Sequence, residues 1–383
     1  GKVVPGSILC VRYTAEEGKE YKGIMVNGTL VQDTLFTVTA NADVKAIFES
    51  QEDESCITLT VPAGQQSTYA IGADNDDTPV TIDWGDGKLK KYTAKKAWTT
   101  INGTTEGTTV KIYGDVTYLN CESYPGYAAN NKISAIDLTK NNKLKYIDMY
   151  FNQLKAIDVT NQPDLLYLDV SMNSEIKSID VTKCPLMLQL KAYGLDELNH
   201  VDVKNNPELQ LINLKNTALS SIDLTNNRKL ICLNLTNCKL TNINVSNMPD
   251  LKQLYLNNNS IESIDLKNNA ALLDLSVMKN KLTSLDLSKN VLLEKLDAAE
   301  NTLNGLDLSA NTAIWYIDVR GNKWNACQLN DFYYTLPKYV DPGEEVTGKT
   351  TPTKLWIAYG NNENDVEHSE TLLAKSKLWI MNY

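Results

Sequence analysis

The side chains in this chain that are best placed to do chemistry are acidic, and they recur at a fixed interval. Eight aspartates and one asparagine occupy equivalent places in short segments such as IDL, VDV and LDL: Asp137, Asp158, Asp180, Asp202, Asp223, Asn244, Asp265, Asp286 and Asp307. A row of carboxylates raises the hypothesis of a calcium ladder, because Ca²⁺ binds oxygen ligands. Calcium-binding repeats, however, gather several oxygens in one turn, whereas one aspartate per repeat leaves the ligands about 4.8 Å apart in a line. We therefore expect no metal site, and we expect each aspartate to face outward or to accept a hydrogen bond from a neighbouring backbone N–H.

Catalytic signatures are missing from the sequence. The chain has two histidines, His200 and His368, and contains no G-x-S-x-G, H-E-x-x-H, P-loop or dinucleotide-binding motif. Carboxylate pairs for glycoside hydrolysis can be proposed in any acidic chain, but nothing here marks one pair above the others. We predict a protein that is not an enzyme and that needs no cofactor.

Composition and charge narrow the class of partner. With 42% hydrophobic and 22% charged residues, the chain is typical of a globular protein with a large core. A net charge of −10 argues against nucleic acid as a partner, because phosphate binding needs clustered Lys and Arg. No apolar run reaches the roughly 18 residues that a membrane span needs. The seven cysteines form no metal or disulfide pattern, and we interpret most of them as small buried side chains.

Two apolar columns keep the same step as the aspartates, 21 or 22 residues. The first contains Ile133, Leu154, Ile176, Leu198, Leu219, Leu240, Ile261, Leu282 and Leu303. The second contains Ile147, Leu168, Leu190, Ile212, Leu233, Leu254, Leu275, Leu296 and Ile317. Such a period indicates a solenoid of nine rungs, in which each rung covers the apolar face of the next. We predict one parallel strand per rung at the second column and another short strand at the IDL segment.

The rungs resemble a known repeat. The segments LLYLDVSMN, LKQLYLNNN, LLDLSVMKN and IWYIDVRGN are similar to the LxxLxLxxN consensus of leucine-rich repeats, and the 21-residue step resembles bacterial surface repeats of the internalin-like or BspA-like kind. The resemblance covers residues 116–322. It implies a leucine-rich-repeat solenoid with parallel β ladders and little helix, which binds partners on its strand face.

The asparagine that closes each rung is the most specific part of this resemblance. It is matched by Asn152, Asn173, Asn259, Asn280, Asn301 and Asn322. Leu195, Thr217 and Cys238 stand in its place in the middle rungs. We expect the amides to bond the backbone of adjacent turns, and we expect irregularity near residues 176–238.

The two ends of the chain follow other patterns. Residues 1–50 are similar to small β-grasp-like repeat modules, and residues 51–115 are rich in β patterns and contain Trp84-Gly85-Asp86-Gly87, which resembles a PKD-like turn. We predict a β-sandwich-like amino-terminal cap at 51–115, the solenoid at 116–322 and an α/β carboxy-terminal cap at 323–383. In that cap, residues 326–336 have helical spacing, KLWIAYG and KLWIMNY are typical of strands, and HSETLLAKS is typical of a second helix.

Residues that flank the second apolar column point away from the core, because side chains alternate along a strand. Tyrosine recurs there beside Asp, Asn, Lys and Gln, a mixture typical of recognition surfaces. The candidate ligand-binding residues are Tyr146, Asp148, Tyr150, Tyr167, Asp169, Lys191, Tyr193, Tyr255, Tyr316 and Asp318.

We therefore predict a secreted or surface-anchored bacterial protein that recognises a protein partner through this strand face. A host protein is one candidate for that partner. Lipid anchoring through a removed amino-terminal segment is part of the same hypothesis. Two alternatives stay open: a glycan-binding surface protein, since the same groups also suit sugars, and a structural spacer in a surface assembly.

Overall fold

A computed structural model of the chain describes residues 8–10, 19–26, 29–31, 35–37, 44–50, 55–123, 130–338, 354–357, 375, 377 and 380–382. The chain divides into two compact units, residues 1–56 and residues 57–383. The segment HSETLLAKS lies outside the described residues except for Lys375.

In its described residues, the first unit contains five strands in two small antiparallel sheets. The strands are β1 (Ile8–Cys10), β2 (Lys19–Val26), β3 (Thr29–Val31), β4 (Leu35–Thr37) and β5 (Val44–Ser50). Strand β1 pairs with β4, and β2 lies between β3 and β5. Val26 of β2 is opposite Thr29 of β3, as expected for strands that flank an Asn-Gly pair. The β-grasp-like assignment of this unit stays a prediction.

The second unit begins with β-strands that form two sheets. These strands are β6 (Cys56–Thr60), β7 (Gln66–Gly72), β8 (Thr78–Asp83), β9 (Leu89–Ala94), β10 (Thr99–Thr104), β11 (Thr109–Tyr113), β12 (Tyr118–Asn120) and β13 (Ala135–Asp137). One sheet has the order β13-β6-β11-β8-β9. The remaining strands, β10-β7-β12, form one end of a second sheet of 14 strands.

Nine parallel strands continue this second sheet, one for each predicted rung. They are β14 (Tyr146–Asp148), β15 (Tyr167–Asp169), β16 (Gln189–Lys191), β17 (Leu211–Asn213), β18 (Cys232–Asn234), β19 (Gln253–Tyr255), β20 (Asp274–Ser276), β21 (Lys295–Asp297) and β22 (Tyr316–Asp318). The middle residue of each strand belongs to the second apolar column, and all nine of these residues are buried. The architecture is therefore a leucine-rich-repeat solenoid, as the repeat pattern predicted, and its parallel ladder lies at the second apolar column.

The carboxy-terminal end is closed by the predicted helix and by two more strands. Helix α1 (Ala326–Thr335) begins with a capping box in which Asn325 and Gln328 exchange hydrogen bonds. Strands β23 (Lys354–Trp356) and β24 (Ile380–Asn382) extend the parallel sheet beyond β22. Trp324, Phe332 and Tyr333 are buried at this end, so aromatic side chains cover the last rung.

Asparagine side chains bond each rung to its neighbours, as expected. In Asn280, Oδ1 accepts from the backbone N–H of Ile261 at 3.0 Å, and Nδ2 donates to the carbonyls of Leu256 at 2.9 Å and Val277 at 3.0 Å. Asn152, Asn173, Asn259, Asn301 and Asn322 make equivalent bonds. Buried backbone groups must find partners within the protein, and this ladder supplies several in each rung.

We predicted a second strand in each rung, at the IDL segments, and this prediction is wrong. Of these segments only Ala135–Asp137 is a strand, and it pairs antiparallel with β6. A second asparagine column takes the carbonyls that a β ladder would have used: Nδ2 of Asn206 donates to Val181 at 2.9 Å, and Nδ2 of Asn227 donates to Val203 at 3.0 Å. Because these carbonyls already accept from side-chain amides, the rungs stack here without strand pairing.

Aspartates of the IDL segments form local turns. Oδ1 of Asp158 accepts from the backbone N–H of Thr160 at 2.9 Å and from its hydroxyl at 2.6 Å. In the other column members, Oδ1 likewise accepts from the backbone N–H of the residue two positions later. These are Asx turns, so the expected bond to a neighbouring backbone N–H is confirmed.

The middle rungs show what replaces the missing asparagines. Leu195 is buried, the Thr217 hydroxyl donates to the carbonyl of Leu214 at 2.9 Å, and Sγ of Cys238 contacts the same carbonyl at 3.4 Å. Of the six cysteines whose side chains the structure describes, four are buried, Cys232 is half-buried and Cys327 is exposed.

Candidate functional site

A stack of aromatic rings runs along the strand face at the amino-terminal end of the solenoid. The Trp98 and Tyr118 ring centroids are 5.6 Å apart, those of Tyr118 and Tyr146 are 4.2 Å apart, and those of Tyr146 and Tyr167 are 4.1 Å apart. The last pair is within 4° of parallel. Isolated rings prefer an offset, but the parallel strands place Tyr118 beside Tyr146 and Tyr146 beside Tyr167. Sheet register therefore imposes the face-to-face arrangement.

Trp98 reaches this stack across a glycine. Thr99 pairs with Ile71, so Trp98 lies next to Gly72 on the neighbouring strand. A Cβ at Gly72 would lie 2.9 Å from Tyr118 Cβ and 3.1 Å from the carbonyl oxygen of Ala97. The absence of a side chain at Gly72 allows the Trp98 indole to stack on the Tyr118 ring.

A lysine covers the other end of the stack. Lys191 Nζ lies 4.9 Å from the centroid of the Tyr167 ring and donates to the Tyr167 hydroxyl at 3.0 Å. This is cation–π geometry. Among the four stacked rings, Tyr118, Tyr146 and Tyr167 thus have both faces covered, whereas Trp98 is 55% exposed.

Two buried carboxylates lie beneath the tyrosine hydroxyls. Asp148 and Asp169 are each 5% exposed and are register partners on β14 and β15. The Tyr146 hydroxyl donates to Asp148 at 3.3 Å, and the Tyr167 hydroxyl lies 3.4 Å from a carboxylate oxygen of each aspartate. Burial, and next the charge of Asp169, raise the pKa of Asp148 to about 6.

The strand face forms a depression at this point, with a volume of about 580 Å³. Seven of the ten residues predicted to bind a ligand surround it: Tyr146, Asp148, Tyr150, Tyr167, Asp169, Lys191 and Tyr193. Asn120, Glu122, Asn213 and Lys215 complete its lining. Tyr193 forms the far side of the depression, where its ring is 5.9 Å from that of Tyr150 and 4.7 Å from Lys215 Nζ. The depression is thus a polar trough between two rows of aromatic rings.

The other three predicted residues belong to rungs further along the sheet. Tyr255 donates to Asp274 at 3.1 Å. Tyr316 and Asp318 are on β22. The Arg320 guanidinium makes a bidentate ion pair with Asp318 and lies 4.8 Å from the centre of the Trp356 ring. Burial, and next the charge of Asp318, raise the pKa of Asp297 on the adjacent strand to about 6. The structure does not bring this group together with the amino-terminal depression.

Sequence reasoning missed four residues of the amino-terminal group: Trp98, Tyr118, Asn120 and Glu122. The segment Tyr118-Leu119-Asn120 has the pattern of Tyr146-Ile147-Asp148, but it stands 28 residues earlier instead of 21, so a search at the repeat period does not find it. Trp98 reaches the face through antiparallel pairing of β7 with β10 and β12, which no period reveals.

Within residues 55–123, 130–338 and the shorter described segments, no group of three or more His, Cys, Asp or Glu side chains is arranged to hold a metal ion. The helices found there are also too short or too polar to cross a bilayer.

The opposite pKa shifts of two sets of aspartates predict a stability maximum in mild acid. Asp148 and Asp297 bind protons more tightly when folded, so their contribution to stability grows as pH falls from about 6 towards 4. Hydrogen bonds from Thr160 hold the pKa of Asp158 below its usual value, and other Asx-turn aspartates are shifted alike. Their contribution is present above their unfolded pKa and is lost as pH falls through the folded value. We expect the Tm to rise from pH 7 to about 5 and to fall below about pH 4.

This profile is measured by thermal unfolding between pH 3 and pH 8. The control variant is Asp148→Asn with Asp297→Asn, which cannot take up the two protons and should lack most of the rise above pH 5. A rise of equal size in the parent and the double variant would mean that other groups cause it.

Known proteins resemble this chain in fold. No protein-family model matches it, and no curated protein matches it significantly. Among solved structures, the functional domain of InlJ from Listeria monocytogenes, which includes a cysteine ladder, has a TM-score of 0.53 and 24% identity over 63% of this chain and 50% of that one. The match thus spans half of the InlJ chain. An internalin, inlF, from Listeria monocytogenes has a TM-score of 0.45 and 15% identity over 70% of this chain and 90% of that one.

At this level of identity the likeness shows the fold alone. The chain is a leucine-rich-repeat solenoid with little helix, and its similarity to the InlJ domain is a similarity of that solenoid. Function has to be argued from the strand face.

Proposed function

We propose that this chain is a non-catalytic recognition protein that binds a protein partner at the amino-terminal end of its strand face. The observation that carries the proposal is the trough of about 580 Å³ between two rows of aromatic rings, with the buried pair Asp148 and Asp169 at its base. Tyrosine-rich surfaces with central, desolvated polar groups are typical of binding hot spots. A secreted or cell-surface location and bacterial surface repeats belong to the same proposal.

The carboxylates favour a partner that presents a basic side chain. Asp148 and Asp169 are adjacent and buried, and their mutual repulsion helps to raise the pKa of Asp148. Lys191 Nζ already lies 4.0 Å from a carboxylate oxygen of Asp169, so a cation of a partner that enters the trough would act chiefly on Asp148, relieve this repulsion and replace lost solvent contacts. The aromatic edges around it would add apolar contact area at small entropic cost.

Ring geometry makes the glycan alternative weaker at this trough. A sugar ring stacks on the open face of an aromatic ring, but both faces of Tyr146 are covered by Tyr118 and Tyr167. Lys191 and Tyr146 cover the two faces of Tyr167. These tyrosines present edges and hydroxyls, which suit the side chains of a protein better than the faces of sugars.

The test is the double variant Tyr146→Ala with Tyr167→Ala. Partners are captured from extracellular protein mixtures with the full chain and identified, and their affinity is then measured with purified partner. If the two rings are hot spots, the double variant should lose about 2 kcal/mol or more of binding free energy, roughly thirtyfold in Kd. Tyr146→Phe separates the ring from the hydroxyl that donates to Asp148.

Tyr334→Ala serves as the matched control, because Tyr334 is 65% exposed on helix α1 and is not on the strand face. Its Kd should equal that of the parent. Unfolding curves of all variants show whether loss of ring stacking, about 0.5–1.5 kcal/mol per pair, has changed the fold. An identified partner that binds the folded double variant as tightly as the parent would refute the proposal.

A further inference from the structure

The indole of Trp98 ends the ring stack and differs from every tyrosine in it. One face lies on Tyr118, with an interplanar angle of 17°, and the side chain is nevertheless 55% exposed. Among the residues that the structure describes, Tyr118 is the single ring in contact with Trp98. The exposed part of this indole is a large apolar surface beside Thr99, where β10, the terminal strand of the 14-stranded sheet, begins.

A second, smaller cavity adjoins this indole. Its volume is about 300 Å³, and it is lined by Trp98, Tyr118, Thr68, Thr100, Asn120 and Glu122, with Ala70 at its base. Ala70 lies between Asn120 and Thr100 in the sheet register, and its methyl group creates the depression in a row of longer side chains. The volume is at the lower end of the roughly 300–1,000 Å³ typical of small-molecule sites.

The groups around this cavity are mostly uncharged hydrogen-bonding groups. Two threonine hydroxyls, one phenol and one amide share the lining with a single carboxylate, that of Glu122. Further along β7 and β10 the same neutral character continues, since Thr68 donates to Asn102 and Gln66 donates to Thr104, both at 2.7 Å. The trough around Asp148, by contrast, contains three carboxylates and two lysines.

From these observations we infer that the Trp98 cavity is a binding site for a neutral saccharide. A pyranose ring has an apolar face of C–H groups that packs on an indole, and its hydroxyls both donate and accept, as threonine and asparagine do. The one charged group of the lining, Glu122, is negative and therefore disfavours an anionic ligand. The cavity adjoins the trough proposed for the protein partner and shares Asn120 and Glu122 with it, but the inference does not depend on that proposal.

The experiment begins with the full chain on a printed array of neutral oligosaccharides: glucans, mannans, galactans and N-acetylglucosamine oligomers. The strongest binder is then titrated while the ¹⁵N–¹H signals of the tryptophan indoles are recorded. We expect the Trp98 signal, assigned by its loss in Trp98→Ala, to shift on titration. Trp98→Ala should weaken binding at least tenfold.

A second variant tests the cavity without removing the ring. Ala70→Leu fills the depression while Trp98 stays in place, and it should also weaken saccharide binding at least tenfold. Tyr334→Ala, which removes an exposed aromatic ring elsewhere, should bind like the parent. The inference is overturned if no member of the array binds the full chain, or if the best binder leaves the Trp98 signal unmoved and binds both variants with parental affinity.

Discussion

Replacing Trp84 with alanine should lower the free energy of unfolding by about 3–5 kcal/mol, as expected for removal of a large buried aromatic side chain. Trp84 has no exposed surface, and its ring lies parallel to that of Tyr69 at 5.5 Å. Its Nε1 donates to the Tyr92 hydroxyl at 3.1 Å, so truncation also removes a hydrogen bond. A Cβ at Gly103 would lie 2.4 Å from this ring, which shows how little space the indole leaves.

The measurement is urea unfolding of the full chain, followed by circular dichroism. Trp98→Ala is the matched control: the same substitution in the same unit, but at a side chain that is 55% exposed. It should cost about 1 kcal/mol, the value of one aromatic contact. If both variants unfolded at the same urea concentration, Trp84 would not be the core residue that its burial indicates.

This contrast also clarifies the Trp84-Gly85-Asp86-Gly87 segment. Oδ1 of Asp83 accepts from the backbone N–H groups of Gly85 and Gly87 at 2.8 and 3.0 Å, and Gly85 has a φ of +102°. The segment is a tight turn that follows a buried strand end. Any loss of binding on substitution of Trp84 would therefore act through folding, and the PKD-like resemblance stays a prediction.

The repeat period was sufficient to predict the solenoid because each rung repeats the same local structure. Leu254 and its equivalents must be buried, so an apolar residue recurs every 21 or 22 residues; Asn280 and its equivalents bond the adjacent turns and recur at the same step in all rungs except the three with Leu195, Thr217 and Cys238. The IDL segments misled us because alternation over three residues resembles a strand. The sequence pattern does not show that the side-chain amide of Asn206 donates to the carbonyl of Val181, which a strand partner would need.

The candidate site was predictable only where it follows the same period. Tyr146, Asp148, Tyr167 and Asp169 are visible as columns, and the parallel ladder brings them together. Trp98 reaches them through an antiparallel pairing and a glycine at position 72. Contacts of that kind depend on tertiary geometry, and no local pattern encodes them.

Removing one side chain of the buried asparagine ladder should also lower the free energy of unfolding measurably. Asn301 is 4% exposed, and its Oδ1 accepts from the backbone N–H of Leu282 at 3.0 Å. Its Nδ2 donates to the carbonyls of Val277 at 3.0 Å and Ala298 at 3.2 Å. Asn301→Ala leaves the buried N–H of Leu282 without a partner, and such a group costs about 1–3 kcal/mol. The Val277 and Ala298 carbonyls each lose one of two amide donors, since they still accept from Asn280 and Asn322. We expect a loss of about 1–3 kcal/mol in urea unfolding.

Three companion variants identify the cause of that loss. Asn301→Leu restores the volume but not the hydrogen bonds, so it should be about as damaging as alanine. Asn301→Thr imitates Thr217, whose hydroxyl donates to the carbonyl three residues earlier, and it should recover part of the stability. Asn226→Ala removes an exposed amide that bonds Lys204 at 3.0 Å and should cost less than about 0.5 kcal/mol. A cost below about 1 kcal/mol for Asn301→Ala would mean that water or a shifted backbone satisfies the turn, and that the ladder follows from the fold without stabilising it.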